Sequence, residues 1–409
     1  MTFETARTGD FSQDNDGRSN DTLSSTVKTV IIGVGGGGSN AVDNMIAAGV
    51  RVNQFMAINT DRQALRASKA KKRVQIGSEI TKGFGAGANP AVGRQAAIEC
   101  KEALTNMIND MDLVFITAGM GGGTGTGAAP VVAEIAQKLG KLTIAFVTTP
   151  FEYEGEIRKR NAEAGIAKLR EFVDAIVIVP NERLASVAKG MTVEDAFRYA
   201  DDVLRQGVQA TTVLINNTGR INVDFADIQT ILRKGGDAII GIGRASGANR
   251  AIEAVRRAVN NAVLGTSIEG ATRVIVNIEG AKVKMEENSQ AVNLVKDICA
   301  KGANIIYGSG VTPELKDEIQ VTIIATGFNR ATEAPQQEAQ PAAQTQSVQQ
   351  QQPQRTEPSQ QQGTLVQQSF FGQPQPITQR PTQQRSNNGF VSLDDDSQDS
   401  WLSRLRGKK

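Results

Sequence analysis

The chain has 409 residues, a formal net charge of +2 and 39% hydrophobic residues, enough for two domains and a tail. So small a net charge gives no overall field that would draw the protein to nucleic acid or an anionic membrane. The sequence contains no histidine, which removes His-based triads, His general bases and most zinc sites.

The first 26 residues are polar and lack the apolar core of a signal peptide. No apolar run approaches the ~20 residues of a membrane span. Cys100 and Cys299 lack metal-ligand spacing and read as ordinary buried thiols of a reducing compartment. One Trp and three Tyr leave few platforms for single-stranded nucleic acid. The expectation is a soluble, cytoplasmic protein with no nucleic-acid partner and no direct membrane insertion.

Residues 27–49, VKTVIIGVGGGGSNAVDNMIAAG, read as strand, glycine turn and helix, with Gly33, Gly35 and Gly38 satisfying G-x-G-x-x-G. A second strand follows and ends at Asn59-Thr60-Asp61. A Rossmann dinucleotide enzyme shows the same pattern, with Asp61 on a ribose hydroxyl, so an NAD-dependent oxidoreductase is the rival reading. GFGAGANPAVG, residues 83–93, is a further glycine loop, with Asn89-Pro90 opening a helix.

The next unit organises the chain. The apolar run DLVFITAG ends at Gly119 and leads into Gly121-Gly122-Gly123-Thr124-Gly125-Thr126-Gly127, followed by the helical periodicity of Val131, Val132, Ile135 and Leu139. Strand, glycine loop and helix start together make an anion site: glycine removes Cβ atoms from the approach and the helix amides point outward. Five glycines interleaved with two threonine hydroxyls favour phosphate over a packing role alone. No Gly-Lys-Ser/Thr tripeptide occurs, so this is not a Walker A loop.

Beyond the strand LTIAFVTTP, Glu154 and Arg158 stand four apart, as in a surface ion pair. Residues 193–215 keep one helical face through Phe197, Ala200, Leu204, Val208, Thr211 and Ile215, a helix of ~35 Å that can join two domains. Phe197 and Asp201 share a face near its start. In INVDFADIQTIL, Asp224 and Asp227 open a helix, which pattern alone assigns to capping. Residues 237–328 alternate strand and helix without another glycine loop.

The glycine loops, Asn59-Thr60-Asp61, GGGTGTG and NVDFAD follow one another in an order that resembles the tubulin/FtsZ family of polymerising GTPases, over roughly residues 27–330. The resemblance implies an α/β fold: a disordered N-terminal extension (1–26), a Rossmann-like GTP-binding domain (27–192), a long central helix (193–216) and a C-terminal α/β, GTPase-activating domain (217–330). A Gln/Pro-rich segment (331–390), too poor in apolar surface to fold, then reads as a disordered linker. Residues 391–409 carry Trp401, Leu402 and Leu405 between acidic and basic runs and read as a docking peptide.

The resemblance also assigns roles. GTP/GDP contacts fall to Gly35, Gly36, Gly37, Gly38, Asn40, Gly87, Gly119, Gly121, Gly122, Gly123, Thr124, Gly125, Thr126, Gly127, Glu154, Arg158, Asn181, Phe197 and Asp201. Phe197 would stack on the purine and Asp201 accept from the guanine edge, whose N1–H and N2–H2 are donors. Asn222, Asp224 and Asp227 would form a synergy loop that enters the nucleotide site of the next subunit and polarises the attacking water. Mg²⁺ would be held mainly through the nucleotide. The implied function is a homopolymer of head-to-tail protofilaments at the midcell division site, building the bacterial division ring and meeting membrane anchors and division regulators through its tail. Three stretches depart from the family pattern: Asn216-Asn217-Thr218, Asn261-Ala262-Val263-Leu264 and Gln398-Asp399. Without histidine, the oxidoreductase reading lacks an obvious acid/base residue; a non-hydrolysing nucleotide adaptor is a third reading, opposed by Asp224 and Asp227.

Overall fold

The computed structural model describes residues 27–187, 190–216, 221–260 and 267–328. The N-terminal extension, the linker, the docking peptide, Asn217, Thr218 and Asn261 to Leu264 lie outside these residues.

One sheet of ten strands runs through the molecule in the order β3-β2-β1-β4-β5-β6-β7-β10-β8-β9. The strands are β1 (Thr29–Val34), β2 (Gln54–Asn59), β3 (Lys72–Gln75), β4 (Leu113–Gly119), β5 (Leu142–Thr149), β6 (Ala175–Pro180), β7 (Gly236–Ala245), β8 (Arg273–Gly280), β9 (Asn304–Val311) and β10 (Ile319–Thr326). The first six are parallel, in the Rossmann order 3-2-1-4-5-6. In the second half β10 runs antiparallel to both β7 and β8, and β9 is parallel to β8. The halves meet where β6 and β7 pair at two positions only, Ala175 with Gly236 and Ile176 with Asp237.

The apolar runs become strands buried on both faces, as a parallel sheet requires. Alternation divides β1 between two cores: Ile31 packs on one face with Ala41, Met45, Phe115 and Phe146, whereas Val30, Ile32 and Val34 pack on the other with Ala128, Val132 and Ile135. The second half has its own core, in which Ala254, Val255 and Ala258 of the helix Arg250–Val259 pack on Val274, Val276 and Ile278 of β8.

The central helix, Val193–Asn216, matches the periodicity read from the sequence. Its Leu204, Val208 and Leu214 belong to a single cluster with Phe146 and Val177 of the first half and Ile240, Ile275 and Ile324 of the second. The helix is therefore common core to both halves. Cys299 is buried, and burial pushes its thiol up to about 11, as suits an inert packing residue. Among the described residues no helix is long and apolar enough to cross a membrane.

Candidate nucleotide site

The site follows from topology. The helix after β1, Gly35–Ala47, buries Ala41, Val42 and Met45 on one face of the sheet, and the helix after β4, Thr124–Lys138, buries Ala128, Val132 and Ile135 on the other. β1 and β4 are neighbours, so their following helices depart in opposite directions and leave a crevice at the strand ends. This is the switch point at which open α/β sheets bind ligands. Two helix N-termini, one opening with Gly35 and the other preceded by Gly123, open on it and favour an anion.

The glycines there divide by what a Cβ would meet. At Gly36 and Gly122 it would meet nothing within 4 Å, and both are accessible from the crevice side. Gly37, also exposed, and Gly119 lie against each other's backbone, and Gly35 lies against Gly125. Gly123, Gly125 and Gly127 are buried packing positions: their Cβ atoms would stand 2.9 Å from the amide of Asn89, 2.7 Å from the carbonyl of Gly119 and 2.0 Å from the carbonyl of Pro90. The GGGTGTG run thus has two jobs. Its first part faces the crevice, and its second part lets the helix Thr124–Lys138 lie against the helix Pro90–Glu99. Gly121 adopts φ 108°, a region closed to most side chains, and a Cβ there would stand 2.8 Å from the carbonyl of Arg158.

The two threonines divide likewise. Thr126 is buried, and its hydroxyl accepts from the amide of Gly121 at 2.8 Å, which fixes the loop. Thr124 shares a 2.7 Å hydrogen bond with the hydroxyl of Thr60. The Asn59-Thr60-Asp61 turn thereby joins the phosphate loop. Asp61 accepts from the amides of Gln63 and Ala64 and caps the helix Arg62–Ala67. The carboxylate that a dinucleotide enzyme would place on ribose is engaged in that cap. Gly87, on the neighbouring loop, is exposed and open.

The far side of the crevice is aromatic. Phe151, just after β5, is buried and makes a T-shaped contact with Phe197 at 5.2 Å and 89°, while Tyr153 stacks on it at 5.2 Å and 14°. Phe197 remains 40% exposed, available to a ring. One turn further along the helix, burial pushes the Asp201 carboxyl up to about 7. Asp201 has no hydrogen-bond partner among the described residues, so a ligand with N–H donors would both satisfy it and draw it toward the ionised form. Asn181, at the end of β6, is buried with its Oδ1 atom unpartnered, a second acceptor awaiting a donor. Glu154 forms an ion pair with Arg158 and accepts from the amide of Phe151 at 2.9 Å. Asn40 is exposed in the first turns of the helix Gly35–Ala47. Phe151 is the residue the sequence reading missed; its signal was an aromatic directly after Pro150 at a parallel strand end.

Asp224 and Asp227 are elsewhere. They form a reciprocal capping box on the helix Phe225–Leu232: the amide of Asp227 donates to Asp224 Oδ1 at 2.7 Å, and the amide of Asp224 donates to Asp227 Oδ2 at 3.2 Å. The pattern-based capping assignment holds, and each carboxylate has a second oxygen outside the box. Asn222 is exposed beside them and lines a small cavity with Leu214 of the central helix. Just past the capped helix, the amides of Gly235 and Gly236 donate to the carbonyl of Asp174, which precedes β6. The acids follow the C-terminal end of the central helix, where Asn222 and Leu214 line one cavity, and the crevice stands at its N-terminal end, where Phe197 meets Phe151. From Phe197 to Leu214 the central helix alone spans ~25 Å.

Comparison with known proteins agrees with this arrangement. Residues 28–189 match the Tubulin/FtsZ family GTPase domain, and residues 236–329 match the FtsZ family C-terminal domain. The structure is similar to an empty FtsZ dimer from M. jannaschii, with 41% identity and a TM-score of 0.69 over 74% of this chain and 89% of that one. A mutant of the M. jannaschii FtsZ gives 42% identity and a TM-score of 0.68, over 74% and 91%. The fold is also that of CetZ2 from Haloferax volcanii, solved as a GTPγS-bound protofilament, at 21% identity and a TM-score of 0.65 over 74% and 94%. Two α/β domains on one central helix, a switch-point phosphate loop and these matches lead to one conclusion: the chain belongs to the tubulin/FtsZ family of GTPases.

Proposed function

We propose that the chain binds GTP in the switch-point crevice, polymerises head to tail and hydrolyses GTP only where one subunit's crevice meets the Asp224–Asp227 loop of the next. The observation that carries this reading is the separation along the central helix: Phe197, on the crevice, stands near its start, and Leu214, beside the loop of the acids, ~25 Å away near its end. A single chain cannot bring both to one γ-phosphate; stacked copies related by a heterologous contact can, and such a contact propagates as a filament. Within the crevice, Gly36, Gly37 and Gly122 leave room for the phosphates, Phe197 offers a face to the purine, and Asp201 and Asn181 accept from donors on the nucleotide. At the contact, the carboxylate oxygens of Asp224 and Asp227 outside the capping box would orient the attacking water and take up its proton, with Asn222 holding it in line. Among the described residues there is no cluster of three acidic side chains that could hold a metal, so Mg²⁺ would be held chiefly by the nucleotide's own phosphates, where it supplies charge neutralisation. In the cell this polymer would be cytoplasmic, form the division ring at midcell, and recruit anchors and regulators through residues 391–409. Light scattering with GTP, GDP, ATP and NAD in parallel tests the reading: scattering should rise with GTP alone, and a rise with NAD or with none of the four would reject it.

Base choice gives a second test. A carboxylate ionising at about 7 accepts from guanine only when deprotonated, so GTP affinity should fall by about tenfold between pH 8 and pH 6. Asp201→Asn should weaken GTP at pH 8, narrow the preference over ATP, and flatten the pH profile. Titration of a fluorescent GTP analogue reads all three; an unchanged profile in the variant would assign Asp201 no part in the base contact.

A further inference from the structure

The open edge of the sheet at β3 carries charge to which the nucleotide site described above assigns no role. Between Arg62 and Arg73 the sequence has six basic residues (Arg62, Arg66, Lys69, Lys71, Lys72 and Arg73) and no acidic one. All but Arg73 are exposed, and among the described residues none of the six forms a salt bridge. Beside them, three buried side-chain nitrogens lack an acceptor: Gln54 Nε2, Arg73 Nε and Gln75 Nε2. Lysines on an edge strand also deter strand addition by other chains. That accounts for Lys72, but not for arginines on the flanking helix or for donors left unpartnered beneath them.

The topology supplies an occupant. The chain enters β1 through Val27 and Lys28, and β3 lies two strands away, ~10 Å across the sheet. Lys72 is level with Met56 and, through it, with Ile32, so Lys69 to Lys71 extend toward the end of the sheet where β1 begins. The 26 residues before Val27 carry five acidic residues (Glu4, Asp10, Asp14, Asp16 and Asp21) against Arg7 and Arg18. Asp21 is six residues from Val27, and six extended residues reach ~20 Å. A tether this short holds the carboxylates at millimolar effective concentration over the basic edge.

We propose that the acidic N-terminal segment docks on its own chain along the edge formed by β3 and the helix Arg62–Ala67. The segment caps the open strand and covers a basic face that would otherwise attract anionic surfaces or neighbouring filaments.

Zero-length carbodiimide crosslinking of the full chain with GDP, at a concentration too low for assembly, tests this. Asp14, Asp16 and Asp21 should couple to Lys69, Lys71 and Lys72 about tenfold more often than to Lys101, Lys138 or Lys168. Mixed isotopically labelled and unlabelled chains should show the links to be within one chain. In a variant with Asp10, Asp14, Asp16 and Asp21 changed to Asn, which alters no residue of the folded body, amide exchange across Lys72–Gln75 should quicken about fivefold. The parent chain at 0.5 M salt should exchange like the variant. Crosslinks spread evenly over all lysines, or exchange indifferent to both changes, would overturn the proposal. So would binding of the full chain to phosphatidylglycerol vesicles that is lost when Lys69, Lys71 and Lys72 become Gln, with exchange unaltered, since that assigns the edge to a lipid surface.

Discussion

Asp224→Asn is expected to bind GTP like the parent chain, to assemble, and to hydrolyse about a hundredfold more slowly, the scale of a lost acid/base group. Asparagine is the informative replacement because Asp224 also caps its helix. Alanine would remove the cap, at a cost of about 1 kcal/mol, and confuse folding with chemistry. Asparagine caps as well as aspartate and removes only the charge. The complementary lesion is Gly122→Asp, at a position where a side chain meets nothing of the protein but sets a negative charge beside the phosphates. Alone, this variant should not bind GTP. Mixed with Asp224→Asn it should restore part of the turnover, because some contacts then pair an intact crevice with intact acids. Turnover per subunit in the parent should be near zero below a threshold concentration and rise steeply above it. A mixture no more active than its components, with turnover independent of concentration, would show that each chain carries a complete site.

Gly127→Ala should produce the largest loss of stability of any single methyl added to the phosphate loop. Its Cβ would sit 2.0 Å from the carbonyl of Pro90 and 2.6 Å from the amide of Arg94, and both obstacles are backbone. Relief requires the helices Pro90–Glu99 and Thr124–Lys138 to separate, at a cost of about 3 kcal/mol or more. Gly36→Ala adds the same methyl facing open space and should leave the melting temperature unchanged while weakening GTP binding. Thermal melts of the two variants without nucleotide separate fold from function. Equal melting temperatures would mean that the interior half of the loop is not packed as described.

The strand–loop–helix units, the central helix and the capping of Asp224 were legible because each depends on residues close in sequence. The division of labour within GGGTGTG was not. Gly122 and Gly127 are the same residue five positions apart, and only the helix that Pro90 opens decides which of them faces a ligand. Asp61 illustrates the same limit: acid after a second strand fits ribose binding and helix capping equally, and the amides of Gln63 and Ala64 decide. The order β7-β10-β8-β9 was also out of reach, because pairing β10 between β7 and β8 joins segments some 80 residues apart for which no local pattern exists. The aromatic set of Phe151, Tyr153 and Phe197 needed the end of β5 brought to the start of the central helix.

The seam between the halves has a mechanical consequence. β6 and β7 are joined by two residue pairs and then part around a cavity of about 360 Å³ lined by Val177, Ile178, Ala238, Ile239 and Phe328. Eight residue pairs, by contrast, lock β10 to β7 along its whole length. Twisting one half against the other breaks few backbone pairs and is resisted mainly by the side chains both halves pack on the central helix, whereas bending either half breaks a full ladder. The molecule is therefore ladder-locked within each half and lightly joined at one seam, so a twist between the halves is felt first at Gly235 and Gly236, at the far end of the helix that Asp224 caps.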